Sequence, residues 1–457
     1  MYIKDFYFRE KLVPLVIPEM INNDSNCYSI LIGKNGIGKS SLLAEIILSQ
    51  MKYATLPYNF DFNNYDTPPN IIAISTSPFD QFPNSRTLSK EKNYKYIGMK
   101  DSPTNVSAIN LLSSAIKSIF DQKVNNISHD KLIEVFKEIN IYPLLKIIIR
   151  PNFKRIKDLT ESGISAYKIS RLNQSETDPI ADYLEITLNH QIINRRLDKE
   201  AIIENLDEIK HALEITKELF KDYTPKSVPL DFTDEFLESF NKNNSILYEK
   251  ILLKSINTLL KFDLLRIIDI KIDKNEFGEM SLRRASSGEQ CIISLILGIA
   301  GNIKDNSLIF IDEPEISLHP KWQEYFMPLL MKVFNSYKGC HFFISTHSPQ
   351  IISNLKSENC FVISLTENLI FPADEFNNMS SDFQLAELFK SPGIKNEYIS
   401  RLAFSLLSKL KTVQKFDREI IKDLEKLVSF KKHLKDNDPT NELIDTVKEV
   451  YNFYASN

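Results

Sequence analysis

The sequence predicts an α/β protein whose core is split by a long helical insertion and followed by a helical C-terminal tail. Three observations carry that prediction. A glycine-rich stretch, Gly33–Gly38, joins the apolar, strand-like run CYSILI to the helix-like run SSLLAEIILSQMKY. A second apolar run, SLIFID, ends in the acids Asp312 and Glu313 far along the chain. Between them, from about Thr104 to Phe262, the apolar spacing turns helical.

Taken in order, YIKDFYF and LVPLVI read as short strands before CYSILI, which ends at Ile32, and a helix follows from Lys39 to about Tyr53. Residues 57–69, PYNFDFNNYDTPP, are rich in turn formers and read as a loop. IIAIST, 71–76, is apolar and largely β-branched, as a short buried strand should be. Residues 198–222 space Ile202, Leu206, Ile209, Leu213, Thr216 and Phe220 by fours and threes. That seam fits a helix packed in a small subdomain, or a short coiled-coil arm. Strands resume with LLRIIDIKID (264–273), SLIFID (307–312), CHFFIS (340–345) and CFVISL (360–365), with helices expected at 287–302 and 319–337. After about Pro372 the chain reads as helical, with apolar stripes at Leu406, Leu410 and Val413 and at Ile420, Leu424 and Leu427. The expected division is 1–105 and 263–375 as two lobes of one core, 106–262 as the insertion, and 376–457 as a region for assembly or a partner.

Composition narrows the function classes. The 457 residues, 25% charged and 43% hydrophobic, suit a soluble chain of several domains. Lys and Arg number 56 against 60 Asp and Glu, so no protein-wide basic field exists to drive nucleic-acid binding. Lys146, Arg150, Lys154, Arg155 and Lys157 form a local basic group that could track phosphates or simply face solvent. No apolar run approaches the roughly 20 residues of a membrane span, and MYIKDFYFRE lacks a signal peptide's apolar core. Cys27, Cys291, Cys340 and Cys360 share no metal-ligand spacing. These features point to a cytoplasmic protein.

Glycine is scarce, 11 in all, yet three lie within Gly33–Gly38 and another at Gly288. Gly33-Lys-Asn-Gly-Ile-Gly38-Lys39-Ser40 fits the pattern G-x-x-x-x-G-K-[ST] between a strand and a helix. Such a turn aims backbone N–H groups inward at a phosphate, helped by the following helix dipole. Gly33, Asn35, Gly36, Gly38, Lys39, Ser40 and Ser41 are thus candidate contacts for ATP. Lys39 would reach the β- and γ-phosphates, and the Ser40 hydroxyl would ligate Mg²⁺. Asp312, delivered by a buried strand to the same sheet edge, suits the Mg²⁺ shell, and Glu313 could polarise the attacking water. Ser286-Ser287-Gly288-Glu289-Gln290 opens an apolar helix, where Ser287, Gly288 and Glu289 could meet an anion. Ser286 and Glu289, three apart, also fit a capping box, and the two readings are compatible.

Together these residues resemble the ATP-binding-cassette ATPases, which implies a P-loop NTPase fold of that type. GKNGIGKSS resembles Walker A, LIFIDEP resembles Walker B with its catalytic Glu313, and SSGEQ resembles the family signature. His347 in STHSP resembles the switch histidine, and Pro314–Pro320 matches the loop that crosses between paired sites. Gln81 in SPFDQF is the candidate Q-loop ligand to Mg²⁺, with Asp80 competing for the role. The resemblance implies a head-to-tail pair in which the signature of one subunit closes over nucleotide on the other.

Lys39 and Ser287 stand 248 positions apart, too far for a transporter cassette. That separation, Arg283-Arg284 and the phrase DEPEISLHPKWQ resemble the SMC-like and OLD-like ATPases. The chain lacks the long coiled coil of the former. It also lacks the nuclease domain of the latter, since Asp436-Asn437-Asp438 sits in a polar turn. What remains is similar to the stand-alone ATPases of anti-phage systems, Septu (PtuA-like) and retron-associated. The resemblance implies an effector partner, an HNH or other nuclease or a toxin, besides self-association. The alternative is a free-standing DNA-repair or recombination ATPase acting on DNA directly.

Overall fold

The computed structural model describes residues 2–22, 24–53, 68–77, 79–83, 93–98, 113, 115–120, 130–152, 205–220, 224–232, 245–262, 264–274, 278–355, 358–412 and 418–456. They fall into two compact units, Met1–Pro83 with Lys304–Asn457, and Asn84–Ile303.

The first unit opens with a hairpin, β1 (Asp5–Phe8) and β2 (Lys11–Pro14), whose turn residues Arg9 and Glu10 both have positive φ. Strand β3 (Cys27–Ile32), helix α1 (Lys39–Tyr53) and strand β4 (Ile71–Ser75) follow. The chain then builds the second unit: β5 (Tyr94–Ile97), α2 (Asp130–Glu138), β6 (Ile141–Pro151), α3 (Leu206–Thr216), β7 (Lys226–Asp231), α4 (Ser245–Lys261), β8 (Leu265–Lys274), β9 (Gly278–Ser281) and α5 (Ser287–Ala300). It returns to the first unit with β10 (Leu308–Asp312), α6 (Pro320–Val333), β11 (His341–Ser345), β12 (Cys360–Ser364) and β13 (Leu369–Pro372). The helices α7 (Ser381–Glu387), α8 (Glu397–Thr412), α9 (Arg418–Phe430) and α10 (Thr440–Ser456) complete it.

In the first unit the strand order is β13-β12-β3-β11-β10-β4, parallel throughout except for β13. Every residue of β3, β4, β10, β11 and β12 is buried, so these strands are continuous apolar runs rather than alternating ones. Register sets aromatic pairs against each other: Phe310 opposite Phe343, stacked at 4.8 Å, and Tyr28 opposite Phe342, stacked at 4.9 Å. All five parallel strands end at one edge, and the functional side chains gather there.

His341, at the other end of β11, is fully buried. Its Nδ1 accepts the Ile3 N–H at 3.2 Å, and its Nε2 lies 2.8 Å from Ser29 Oγ, which itself donates to the Leu15 carbonyl at 2.6 Å. This chain of bonds assigns the proton to Nε2 and requires a neutral ring. Burial holds the imidazole well below its usual pKa of 6.5. The unfolded chain therefore takes up the proton first. Stability should be full above about pH 6.5 and fall below it, by up to about 1.4 kcal/mol per pH unit for this group. Denaturant melts between pH 7.5 and 5.5 check this: His341→Asn should be less stable at pH 7.5 and show a shallower pH slope.

The second unit corrects the sequence reading of 106–262 as helical. It contains a four-stranded antiparallel sheet in the order β7-β6-β8-β9. In β6, Leu145, Ile147 and Ile149 are fully buried while Lys146, Ile148 and Arg150 face the other way. The run LLKIII thus hides a period of two behind its apolar outer face, and its β-branched content is the strand signal. Lys146 and Lys271 both pair with Glu279. Lys154, Arg155 and Lys157 lie outside the described residues. Within the seam, Ile209, Thr216 and Phe220 are buried, and α3 packs against α4 with Thr258 Oγ1 donating to Glu208 at 3.0 Å. Ile202 lies outside the described residues.

The C-terminal stripes are covered within the tail itself. Ile399, Ala403, Leu406, Leu410, Ile420, Leu427, Phe430, Ile444 and Val447 form one buried cluster, with Leu424 packed at its side. Val413 lies outside the described residues. Asp438 caps the bundle, its carboxylate accepting the N–H groups of Thr440 and Lys395. No helix among the described residues is long and apolar enough to cross a membrane.

Candidate active site

The P-loop turn follows β3 because Gly36 and Gly38, at φ 78° and 103°, adopt backbone that side-chain-bearing residues rarely reach. At Gly38 a side chain would also strike the Arg9 guanidinium, 3.0 Å from where its Cβ would stand. Arg9 reaches down from the β1–β2 turn and donates to the Ile37 carbonyl at 3.1 Å. Nothing local in the sequence links Arg9 to the glycine-rich turn.

Lys39 is buried at the start of α1, its Nζ donating to the Gly33 carbonyl at 3.1 Å and to His347 Nε2 at 2.6 Å. Burial lowers its pKa to about 8, against the pull of Glu313, Glu315 and Asp312. Ser40, one residue on, donates to Asp312 Oδ1 at 3.0 Å. Register places Asp312 between Ser345 on β11 and Ser75 on β4, and the Ser345 hydroxyl also donates to Oδ1. Burial raises the Asp312 carboxyl to about 6, opposed by those two hydroxyls, while Glu313 and Asp80 add to the rise. A cation would reverse that balance.

Glu313 has φ 47°, a left-handed conformation costly for a non-glycine residue, and it turns the chain sharply off β10. Its carboxylate lies 3.5 Å from His347 Nε2. Burial, then the neighbouring Lys39 charge, lowers the His347 imidazole to about 4. A cleft of about 380 Å³ opens here, lined by Asn35, Gly36, Glu313, Glu315, Ile316 and His347. The structure thus brings together Asn35, Gly36, Lys39, Ser40, Asp312, Glu313 and His347 from three separate parts of the chain. Ser41 sits beside them in the first turn of α1.

Gln81 is not among them. Its side chain is exposed and reaches back to the Phe79 carbonyl at 3.5 Å, whereas Asp80 is buried and near enough to act on Asp312. Of the two polar groups after β4, Asp80 is the one the fold turns toward the site.

The signature segment belongs to the second unit. Ser286 caps α5 in a capping box: its Oγ accepts the Glu289 N–H at 3.3 Å, and the Glu289 carboxylate accepts the Ser286 N–H at 3.1 Å. Lys274 pairs with the same carboxylate at 2.7 Å. Glu289 is therefore engaged within its own helix terminus, while the Ser287 side chain is exposed.

The donor set fits Mg²⁺. Ser40 and Asp312 offer a hydroxyl and a carboxylate oxygen 3.0 Å apart, hard ligands of the kind that share this ion with phosphate and water.

A parallel sheet with a glycine-rich turn, buried lysine and paired acids at its C-terminal edge defines a P-loop NTPase. The chain belongs to the AAA ATPase domain family, which it matches over residues 19–352. It is 24% identical over 381 residues to the Retron Ec83 probable ATPase of Escherichia coli, covering 73% of this chain and 66% of that protein. It is also 24% identical over 420 residues to the Retron Vc95 probable ATPase of Vibrio cholerae, covering 82% and 77%.

Proposed function

We propose that this chain is an ABC-type ATPase that pairs head to tail around ATP. We further propose that it gates or scaffolds a partner effector, a nuclease or toxin, in cytoplasmic anti-phage defence. The convergence of Lys39, Ser40, Asp312, Glu313 and His347 at one sheet edge supports the hydrolytic part. Similarity to two retron ATPases supports the defence part. Self-association follows from the signature segment and the loop Pro314–Pro320. The C-terminal bundle, exposing Phe404 and Phe453, is the region we assign to partner contact.

In this reading the P-loop amides and Lys39 hold the β- and γ-phosphates. Ser40 and Asp312 hold Mg²⁺, which supplies charge neutralisation on the phosphate oxygens. Glu313 orients water and accepts its proton, and His347 contacts the γ-phosphate. Ser287 and the N-terminal amides of α5 contribute from the second copy. Asp80, rather than Gln81, completes the polar shell around Asp312.

Mixing tests the shared site. Ser287→Arg and Lys39→Ala should each be inactive alone. Mixed at equal amounts they should recover about a quarter of wild-type turnover, because half the pairs rebuild one of two sites. No recovery at any ratio would count against a site shared between chains. DNA alone stimulating turnover would favour the DNA-repair reading over a partner-gated one.

A further inference from the structure

Glu315 has no role in the reading above, yet its surroundings are specific. Glu313 turns the chain into a short 3-10 segment, Pro314–Ser317, which brings Glu315 back beneath the loop carrying His347. Its Oε1 accepts the His347 backbone N–H at 2.6 Å. Its Oε2 is enclosed and, among the described residues, accepts no hydrogen bond of ordinary geometry. The residue also lines the cleft beside Glu313. Burial and the nearby Glu313 charge raise its pKa, while the His347 N–H favours the charged form.

A second stitch joins the same two loops. Gln323 of α6 donates through Nε2 to the carbonyls of Leu318 at 2.9 Å and Glu315 at 3.4 Å. Its Oε1 accepts from Ser348 Oγ at 2.6 Å. The segment after Walker B and the segment bearing His347 are thus pinned together at 315–347 and 318–348. The imidazole, meanwhile, accepts from Lys39, with the Glu313 carboxylate 3.5 Å from its Nε2.

We propose that Glu315 is a positioning residue for hydrolysis: its carboxylate fixes the His347 backbone, so that the imidazole meets the γ-phosphate in a set orientation once nucleotide enters. The inference rests on His347 acting in hydrolysis, as proposed above. Glu315 touches neither phosphate nor metal in this account. It governs turnover, not nucleotide affinity.

The test compares Glu315→Gln, whose amide oxygen can still accept the His347 N–H, with Glu315→Ala, which cannot. Glu315→Gln should keep about a third or more of kcat, and Glu315→Ala should lose about tenfold or more. KM and the Kd for a fluorescent ATP analogue should stay within about twofold in both. If Glu315→Ala does not fold, Glu315→Met removes the acceptor while keeping the bulk. In the double variant with His347→Ala, adding Glu315→Ala should cost no further turnover, because one residue acts through the other. Unchanged kcat in Glu315→Ala, a matching loss of affinity, or multiplied losses in the double variant would overturn the proposal. Wild-type turnover in His347→Ala alone would instead remove the reading on which it rests.

Discussion

Glu313→Gln should bind ATP with unchanged affinity and hydrolyse it at least about a hundredfold more slowly, the usual scale for losing a positioned general base. The substitution keeps the size of the side chain and the turn it begins, so the left-handed backbone at 313 and the cleft beside it survive. In the proposed reading it removes the ability to accept a proton from water. The negative charge 3.5 Å from His347 is lost as well, while the Lys39–His347 bond remains. Nucleotide therefore enters an intact P-loop and stays. Phosphate release measured beside equilibrium nucleotide binding separates the two effects. A wild-type rate of phosphate release would show that another group is the base.

Lys39→Ala should fail one step earlier. Lys39 is only 5% exposed, and three acids, Glu313, Glu315 and Asp312, act on its ammonium. Removing that ammonium leaves those acids facing incoming phosphates with no cation between them. Affinity for ATP should fall at least about tenfold to a hundredfold, the scale of a lost charged hydrogen bond, before any repulsion is added. The fold should tolerate the change, since α1 keeps its buried face, Leu42, Leu43, Ile46 and Ile47. A binding titration with a fluorescent ATP analogue checks the expectation; affinity within threefold of wild type would contradict it.

What was legible in the sequence follows a physical line. The P-loop and the Walker B strand are local: a strand, a turn that needs glycine, a helix, and acids at a strand end. Their residues carry the pattern without help from the rest of the chain. Contacts set by strand register are different. Ser345 meets Asp312 because β11 lies beside β10, and Arg9 meets Gly38 because a hairpin folds over the turn. Neither partner is marked by spacing. Asp80 and Gln81 are adjacent, and only the turn after β4 decides which one faces inward. The strand of 141–151 was hidden for another reason: apolar residues on both faces blur the alternation that marks a half-buried strand, while in 226–231 the alternation is short and Pro229 interrupts the strand signal.

The placement of β3 has a consequence for the protein while it is being made. Among the described residues its two sheet neighbours are β11 and β12, which begin at His341 and Cys360. A ribosome adding about 5–20 residues per second reaches them roughly 15–60 s after completing β3. For that interval the run CYSILI has neither of its native edge partners, the kind of segment that pairs with whatever strand it meets. The residues between, 84–303, form a compact unit that can settle in the meantime. A nascent chain stalled short of His341 carries every Walker A residue and still has no phosphate site, because the glycine turn has no sheet to stand on.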